Sequence, residues 1–588
     1  MSISDPAPTP GTDQARTIEP AERSDHTPAA PNEPQATADP EPVDGPAAAP
    51  SRRRAVLARV VTVLAAALVL ATLTLPNRPW QLEPGTFLRL PLEALLLAAL
   101  LLALPGRPRR IVAAVSGVLL GLVAMVKVGD LGFYSSLGRP FDLVLDWSLL
   151  GPAFAFVAES IGRPGAIAIA AGVGLLLLGI PVLTALSTVR LSGVLARNRT
   201  GTTRAVASLV VVWVVLAAFG ARIVPGVYVA DTNATTLVQD HAVEVHARLH
   251  DRRAFTNEIN VDPFRDVPGD QLLTGLRGKD VLLTFVESYG RDAVADPEFA
   301  SIQRVLDEGA ERLSAAGFTS RSGFLTSPTI GGASWLAHAT LLSGLWIDNN
   351  QRHRNLLATD RFTLGDAFQR AQWRTVGVMP AVNQAWPEGA FYGYEQFYGG
   401  PDLGYQGPRF AFAPMPDQFA IHTFHQRELA APRDRPVMAE LALVSSHSPW
   451  TKVPSVVDWD DIDDGEVFQR GIIGTPAAQA RTGYRHSINY TLRTLISYLE
   501  RYGTDDTVMV IVGDHQPAPV VTGENPSPDV PIHIVAKDPA VFAQIEDWNW
   551  QEGLTSGADA PVWRMDTFRD RFLTAFGPGN SRAQAQGR

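Results

Sequence analysis

Two apolar runs in this chain end in groups that could bind a metal. Val281-Leu-Leu-Thr-Phe-Val286 leads into Glu287-Ser288-Tyr289-Gly290, and Thr507-Val-Met-Val-Ile-Val512 leads into Gly513-Asp514-His515-Gln516-Pro517. Uncharged runs of this length read as buried strands, so each delivers its polar residues to the carboxyl edge of a sheet, where α/β folds bind ligands. Carboxylates suit hard divalent cations such as Mn²⁺, Mg²⁺ or Ca²⁺, and an imidazole extends the choice to Zn²⁺. Taken alone, Glu287 would equally be a solvated strand-end acid and Asp514-His515 a turn cap.

A third segment, Pro328-Thr-Ile-Gly331-Gly332-Ala333-Ser334-Trp335-Leu-Ala-His338, supplies a nucleophile. The two glycines permit a sharp turn, after which Ser334 opens a helix whose first amides and dipole attract an anion. A free serine hydroxyl is a weak nucleophile. A cation on its oxygen lowers its pKa and screens an incoming phosphate. Ser334 therefore needs what Glu287, Asp514 and His515 would hold, although an N-capping serine fits the same local pattern. His353 and Arg354 offer an imidazole and a bidentate guanidinium for a substrate phosphate, or else a solvated basic loop. His338 and His533 read as packed histidines. Trp386 and the aromatics of 392–398 read as core or loop residues, with a rim for sugar or glycerol as the alternative.

The elements that would position these groups follow from periodicity. β-rich runs at 279–286, 373–379, 438–445, 507–512 and 530–536 alternate with helical patterns, which predicts an α/β domain over 271–575 with a mostly parallel sheet covered by helices. Before it, 228–270 reads as a helical linker, with Leu237, His241, Val245 and Leu249 at helical spacing from Asn233 to about Phe255. Residues 1–50, rich in Pro, Ala, Thr, Asp and Glu, predict a disordered cytoplasmic tail, and 576–588 a flexible one.

Between tail and linker, 51–227 carries apolar segments near 55–75, 87–105, 110–128, 165–187 and 205–225, each close to the ~20 residues that cross a bilayer. Arg52 to Arg54, then Arg107, Arg109 and Arg110, then Arg190, Arg197, Arg199 and Arg204 all fall on one side of five spans. If that side is cytoplasmic, everything after about Pro225 lies outside the cell membrane. The stretch 133–161, with Asp142 and Asp146 among aromatics, reads as an outer-face interfacial or re-entrant segment. The chain of 588 residues contains no cysteine, which excludes disulfides, thiolate metal sites and cysteine nucleophiles. Its net charge of −10, without a clustered basic face in the C-terminal half, argues against nucleic-acid binding.

With these residues in place, the chain resembles the alkaline phosphatase/sulfatase superfamily, and within it the membrane-bound phosphoglycerol transferases and lipoteichoic acid synthases. The resemblance covers roughly residues 55–570. It implies that Glu287 is the first-strand metal ligand, that Asp514 and His515 are the late metal pair, and that Ser334 is the nucleophile, with Leu341-Leu-Ser-Gly344 at the signature's closing position. His447, in Ser445-Ser-His447-Ser-Pro-Trp450, resembles the substrate-contacting histidine of the family's transferases. One metal ion is implied, Mn²⁺ before Mg²⁺, Zn²⁺ or Ca²⁺, with a lipid donor of a phosphoglycerol or phosphoethanolamine headgroup and a cell-envelope glycan or lipid acceptor. The alternatives are a sulfatase acting on envelope glycans and a non-catalytic binding or sensing protein. Ser334-Trp-Leu-Ala-His338 lacks the proline and arginine of a formylglycine site, which disfavours the first. The family's transferases often use threonine, so a serine nucleophile is a departure.

Overall fold

The computed structural model describes residues 52–224, 227–384, 386–410, 412–524 and 526–578. The expected tail 1–50, Pro225 and residues 579–588 lie outside them. The N-terminal region comprises α1 (Arg52–Thr74), α2 (Leu92–Ala103), α3 (Gly106–Leu137), α4 (Leu150–Ile161), α5 (Arg163–Arg197) and α6 (Arg199–Ala218). Among the described residues, α1, α3, α5 and α6 are long and apolar enough to cross a membrane.

Five long spans were the expectation, and the second, at 87–105, is corrected. It consists of a short 3₁₀ turn, Pro84–Leu88, and the 12-residue α2, about 18 Å at 1.5 Å per residue against a ~30 Å hydrocarbon core. Prolines set its limits. Pro91 precedes the first helical residue, and Pro105 forces Leu104 into an extended conformation that ends the helix (φ −84°, ψ 145°).

The expected third span, 110–128, extends instead over the 32 residues of α3. Lys127, buried within it, donates to the carbonyls of Thr72 (3.2 Å) and Leu73 (2.7 Å), groups at the end of α1 that lack helical partners. Asp130, also buried, accepts from Asn77 and the Phe141 amide and meets His241 Nε2 at 3.2 Å. The C-terminal ends of α1 and α3 thus lie together. Elsewhere in this region Arg190 of α5 donates to the Thr62 hydroxyl of α1 (3.1 Å) and Arg199 of α6 to the Leu102 carbonyl of α2 (3.0 Å). Helices α3 and α5 approach at small residues: a Cβ on Gly117 would lie 2.5 Å from Ala185 Cα, so only glycine permits the contact.

The linker forms one helix, α7 (Asn233–Ile259). Leu237 and His241 are buried as their spacing predicts, and Phe255 and Ile259 enter the core of the domain that follows.

That domain is built on β1 (Asp280–Val286), β2 (Thr319–Thr326), β3 (Arg374–Met379), β4 (Gln396–Gly399), β5 (Val437–Leu443), β6 (Thr507–Gly513), β7 (Asp529–Ala536), β8 (Gln551–Glu552) and β9 (Val562–Arg564). The sheet order is β8-β2-β7-β6-β1-β5-β3-β4, with β9 also on β2. From β6 to β4 all neighbours are parallel; β7 turns back antiparallel on β6 and β2 on β7. Every residue of β1 and β6 is buried, because the sheet is covered on both faces, on one of them by α8 (Ala300–Ala315), whose Ile302, Val305 and Leu306 share a core with Leu282 and Met509. Their register pairs Val286 with Gly513, so Glu287 and Asp514 leave the sheet side by side at its centre.

Candidate metal and nucleophile site

Ser334 is carried by a loop stitched to the one bearing Asp514 and His515. After β2, the Ser327 hydroxyl donates to the Asp514 carbonyl (2.6 Å) and the Gly331 amide to the Gln516 carbonyl (2.8 Å). Gly331 has φ +76°, and a Cβ there would sit 2.2 Å from the Ser136 carbonyl oxygen at the end of α3. Only glycine fits both demands. Ala333 follows in the left-handed region (φ 64°), and Ser334 then begins α9 (Ser334–Ser343). The half-buried Ser334 Oγ donates to Glu287 Oε2 at 2.9 Å and lies 3.2 Å from His515 Nε2.

Glu287, Asp514 and His515 are buried, and each offers a ligand atom within 4.8 Å of the others. The backbone holds them in place. The amides of Ser288 (2.7 Å) and His515 (2.6 Å) both donate to Asp514 Oδ1, leaving Oδ2 for the site. Ser288, at φ +58°, also donates its hydroxyl to Glu287 Oε1 (2.7 Å). His515 Nδ1 lies 2.8 Å from the Gln516 carbonyl, which can only accept. Nδ1 therefore carries the proton, and Nε2 faces Glu287 and Ser334 with its lone pair.

Charge in this cluster is unbalanced. Burial disfavours the Glu287 carboxylate, yet the imidazoles of His447 and His515 and two serine hydroxyls hold its pKa down at about 2. Burial, and then repulsion from Glu287, push Asp514 up to about 6. Burial opposes protonation of His515, but the two carboxylates outweigh it and raise its pKa. Two buried carboxylates beside one imidazole, with no lysine or arginine paired to them among the described residues, suit a bound cation. The donor set of two carboxylates, an imidazole and a hydroxyl fits a single divalent ion.

The remaining expected residues divide. His447 sits half-buried just past the end of β5, stacked on Phe412 at 3.8 Å, with Nδ1 on the Ser448 carbonyl (2.7 Å) and Nε2 free of it. The residue before it, Ser446, donates its hydroxyl to the Glu287 carbonyl (2.6 Å), which sets this loop beside the cluster. His353 lies elsewhere, in an aromatic cavity with Tyr392. Arg354 is exposed on α10 (Asn350–Leu357). His533 packs in the core between Tyr289 and Ser322, and burial lowers its pKa to about 3.

Sequence reasoning missed Ser288, whose contacts tie Glu287 to Asp514, and Glu440, which accepts from His338 Nδ1 (2.8 Å) and from the Tyr394 hydroxyl. A lone acid in the apolar run Val437-Met-Ala-Glu-Leu-Ala-Leu443 was the available signal for the second.

The family model described as Sulfatase matches residues 279–533, which run from the start of β1 into β7. No curated protein matches the chain. Among solved structures, the integral membrane lipooligosaccharide phosphoethanolamine transferase A (EptA) of Neisseria meningitidis is 12% identical, covering 88% of this chain and 95% of its own (TM-score 0.40). The lipoteichoic acid synthase LtaP of Listeria monocytogenes is 13% identical over 56% of this chain and 78% of its own (TM-score 0.34). The phosphoglycerol transferase GacH of Streptococcus pyogenes, in complex with sn-glycerol-1-phosphate, is 15% identical over 57% and 82% (TM-score 0.31). With β1 and β6 delivering Glu287, Asp514 and His515 to the edge of a mixed, mostly parallel sheet, residues 279–533 of this chain form a sulfatase-like α/β domain.

Proposed function

We propose that this chain is a metal-dependent phosphotransferase or hydrolase that takes a phosphate-linked headgroup, of phosphoglycerol or phosphoethanolamine type, from a membrane lipid. It passes the headgroup through Ser334 to a cell-envelope glycan or lipid, or to water. The observation that carries this reading is the Ser334 hydroxyl, 2.9 Å from Glu287 and 3.2 Å from His515 in a buried cluster short of positive charge.

Glu287, Asp514, His515 and the Ser334 oxygen would hold a divalent cation, which would supply Lewis acidity, lowering the serine pKa and screening the phosphate. Three oxygen-donor residues and one nitrogen donor favour Mn²⁺ over a softer ion. In the first half-reaction the Ser334 Oγ–P bond forms and the P–O bond to the lipid alcohol breaks. The serine proton is released to solvent as the Ser334 oxygen joins Glu287, Asp514 and His515 in the donor set, and the departing alcohol takes a proton from His447 Nε2. In the second, the acceptor oxygen attacks phosphorus, loses its proton to His447 and frees Ser334. The helix N-terminus at Ser334 holds the phosphate oxygens. Arg354, exposed on α10, meets the phosphate as the substrate approaches, and His353 meets a part of the substrate away from the cluster, in its own cavity.

We also propose five membrane crossings, with α2 and the preceding turn making the return between α1 and α3. The pairing of the α1 and α3 C-terminal ends supports it, since two parallel helices need a crossing between them. The positive-inside rule then sets the sulfatase-like domain outside. The test is turnover of headgroup-labelled phospholipid by the purified full-length protein. Ser334→Ala is expected to lose about 10³-fold or more; equal turnover by the two proteins refutes the mechanism.

A further inference from the structure

Residues 138–162 join α3 to α5, two helices long and apolar enough to cross a membrane. A Cβ on Gly117 would meet Ala185 and one on Gly121 would meet Pro181, so α3 and α5 run antiparallel and the joining segment begins and ends at one face of the membrane. Along it Val144, Trp147, Leu150 and Phe154 are exposed, Trp147 to 56% and Leu150 to 61%. The last three, spaced three and four residues apart across a 3₁₀ turn (Asp146–Leu149) and α4, share one side. Asp142 and Asp146 are turned away from solvent: both are buried, Asp146 held by Arg139 (2.7 and 2.8 Å) and Asp142 by Arg248 of α7 (2.9 Å).

The same segment reaches the nucleophile's helix. Ser148 Oγ accepts from Asn350 Nδ2 (3.3 Å), and Asn350 Oδ1 accepts from the indole of Trp335 (3.1 Å), the residue after Ser334. An indole N–H only donates, which fixes the orientation of the Asn350 amide. Two residues before Asn350, Asp348 meets Arg248 (3.4 Å), which also holds Asp142. Between the segment and α9 lies a cavity of about 290 Å³, lined by Leu145 and Leu149 on one side and by Ile330, Ala333 and Leu336 on the other. The segment thus meets the start of α9 through a few polar bonds across open space and not through a packed core, which leaves it room to move.

We propose that residues 139–154 are a lipid-contacting lever: Val144, Trp147, Leu150 and Phe154 enter the membrane surface, and the Ser148–Asn350–Trp335 chain passes their depth to the start of α9. The partner is the lipid surface that α3 and α5 themselves enter, because the exposed residues lie on the chain between those two helices, and a tryptophan among aliphatic side chains suits that boundary. The Trp147 N–H is already satisfied by the Leu143 carbonyl (2.8 Å), so the ring enters without a bare donor. Asn350 is then a positioning residue, acting on Ser334 through Trp335. The consequence for phosphate transfer rests on Ser334 being the nucleophile; the membrane contact and its effect on α9 do not.

The full-length protein in phosphatidylcholine vesicles tests both halves. Brominated acyl chains quench the indoles they touch, and the emission of Trp147 is the difference between the parent and Trp147→Phe. That emission is expected to fall severalfold in brominated lipid; a Trp147 signal indifferent to bromine, as a protein partner on this side would leave it, overturns the membrane contact. Hydrogen exchange at the amides of residues 336–338 follows the start of α9 without any turnover. Leu150→Asp sets a charge in the lipid at an exposed helix start, where an acid suits the helix dipole and folding is kept. It is expected to speed exchange about fivefold, as is Asn350→Leu, the effect of losing one hydrogen bond. The double variant is expected to exchange no faster than either single one, since both act through the same chain of contacts. Exchange unmoved by Leu150→Asp, or effects that multiply, overturns the lever. Coupled exchange with Ser334 never modified overturns only the nucleophile reading, and Ser334 modified with exchange uncoupled overturns only the lever.

Discussion

At Asp514, one carboxylate oxygen is tied to two backbone amides and the other faces Glu287 and His515, so a change of this residue acts on the site and little on the sheet. Asp514→Asn keeps the amide contacts and removes a charged ligand; metal affinity should fall by about 10²-fold or more while the melting temperature of the metal-free protein stays near that of the parent. Calorimetric titration with Mn²⁺ checks it. The same titration has a predicted pH dependence. Asp514, pushed up to about 6, and His515, also raised, hold protons that a metal must displace, so apparent affinity falls about tenfold per pH unit for each proton as the pH drops through that range. Above it the affinity levels off. Glu287, held at about 2, contributes nothing in this window. A pH-independent affinity would remove the cluster as the binding site. Glu287, Asp514, His515 and Ser334 were legible in the sequence because each follows a segment whose geometry is local: an apolar strand or a glycine turn. Glu440 was not, because its meaning depends on His338 and Tyr394, far away along the chain.

At the scale of elements, the Gly331–Ala333 turn joins the nucleophile to both the Asp514 loop and the end of α3. Gly331→Ala places a Cβ 2.2 Å from the Ser136 carbonyl in a left-handed backbone, and should cost about 1–3 kcal/mol. The turn must shift, so turnover is expected to fall further than thermal stability does. A melting curve and an activity assay on the same sample compare the two, and an alanine protein with unaltered turnover would show that the turn does not position Ser334. The buried strands β1, β3, β5, β6 and β7 were readable as apolar runs. Strands β2 and β4 were not, since Thr319-Ser-Arg-Ser-Gly-Phe-Leu-Thr326 and Gln396-Phe-Tyr-Gly399 carry no continuous apolar stretch and owe their conformation to neighbouring strands. The antiparallel course of β7 was hidden for the same reason. α2 was misjudged in length because hydropathy across 87–105 is high while Pro91 and Pro105 restrict the helix between them.

For the whole molecule, the N-terminal region of apolar helices and the sulfatase-like domain are joined by contacts such as Arg248 with Asp142 (2.9 Å) and Asp348 (3.4 Å) and the seating of Ile330 near Gly138. Protease added to sealed, right-side-out vesicles should cleave residues 271–578 and spare the loops at Arg107 and Arg199; the reverse pattern would invert the proposed topology. The central claim is that Ser334 takes up the phosphate-linked group within this intact assembly. Its most direct measurement is mass spectrometry of the Ser334 peptide after membranes holding the full-length protein are supplied with Mn²⁺ and native lipids and quenched early. A headgroup-phosphate mass is expected on Ser334, absent after chelation and in Asp514→Asn. Turnover proceeding while Ser334 stays unmodified, at full rate in Ser334→Ala, would contradict it.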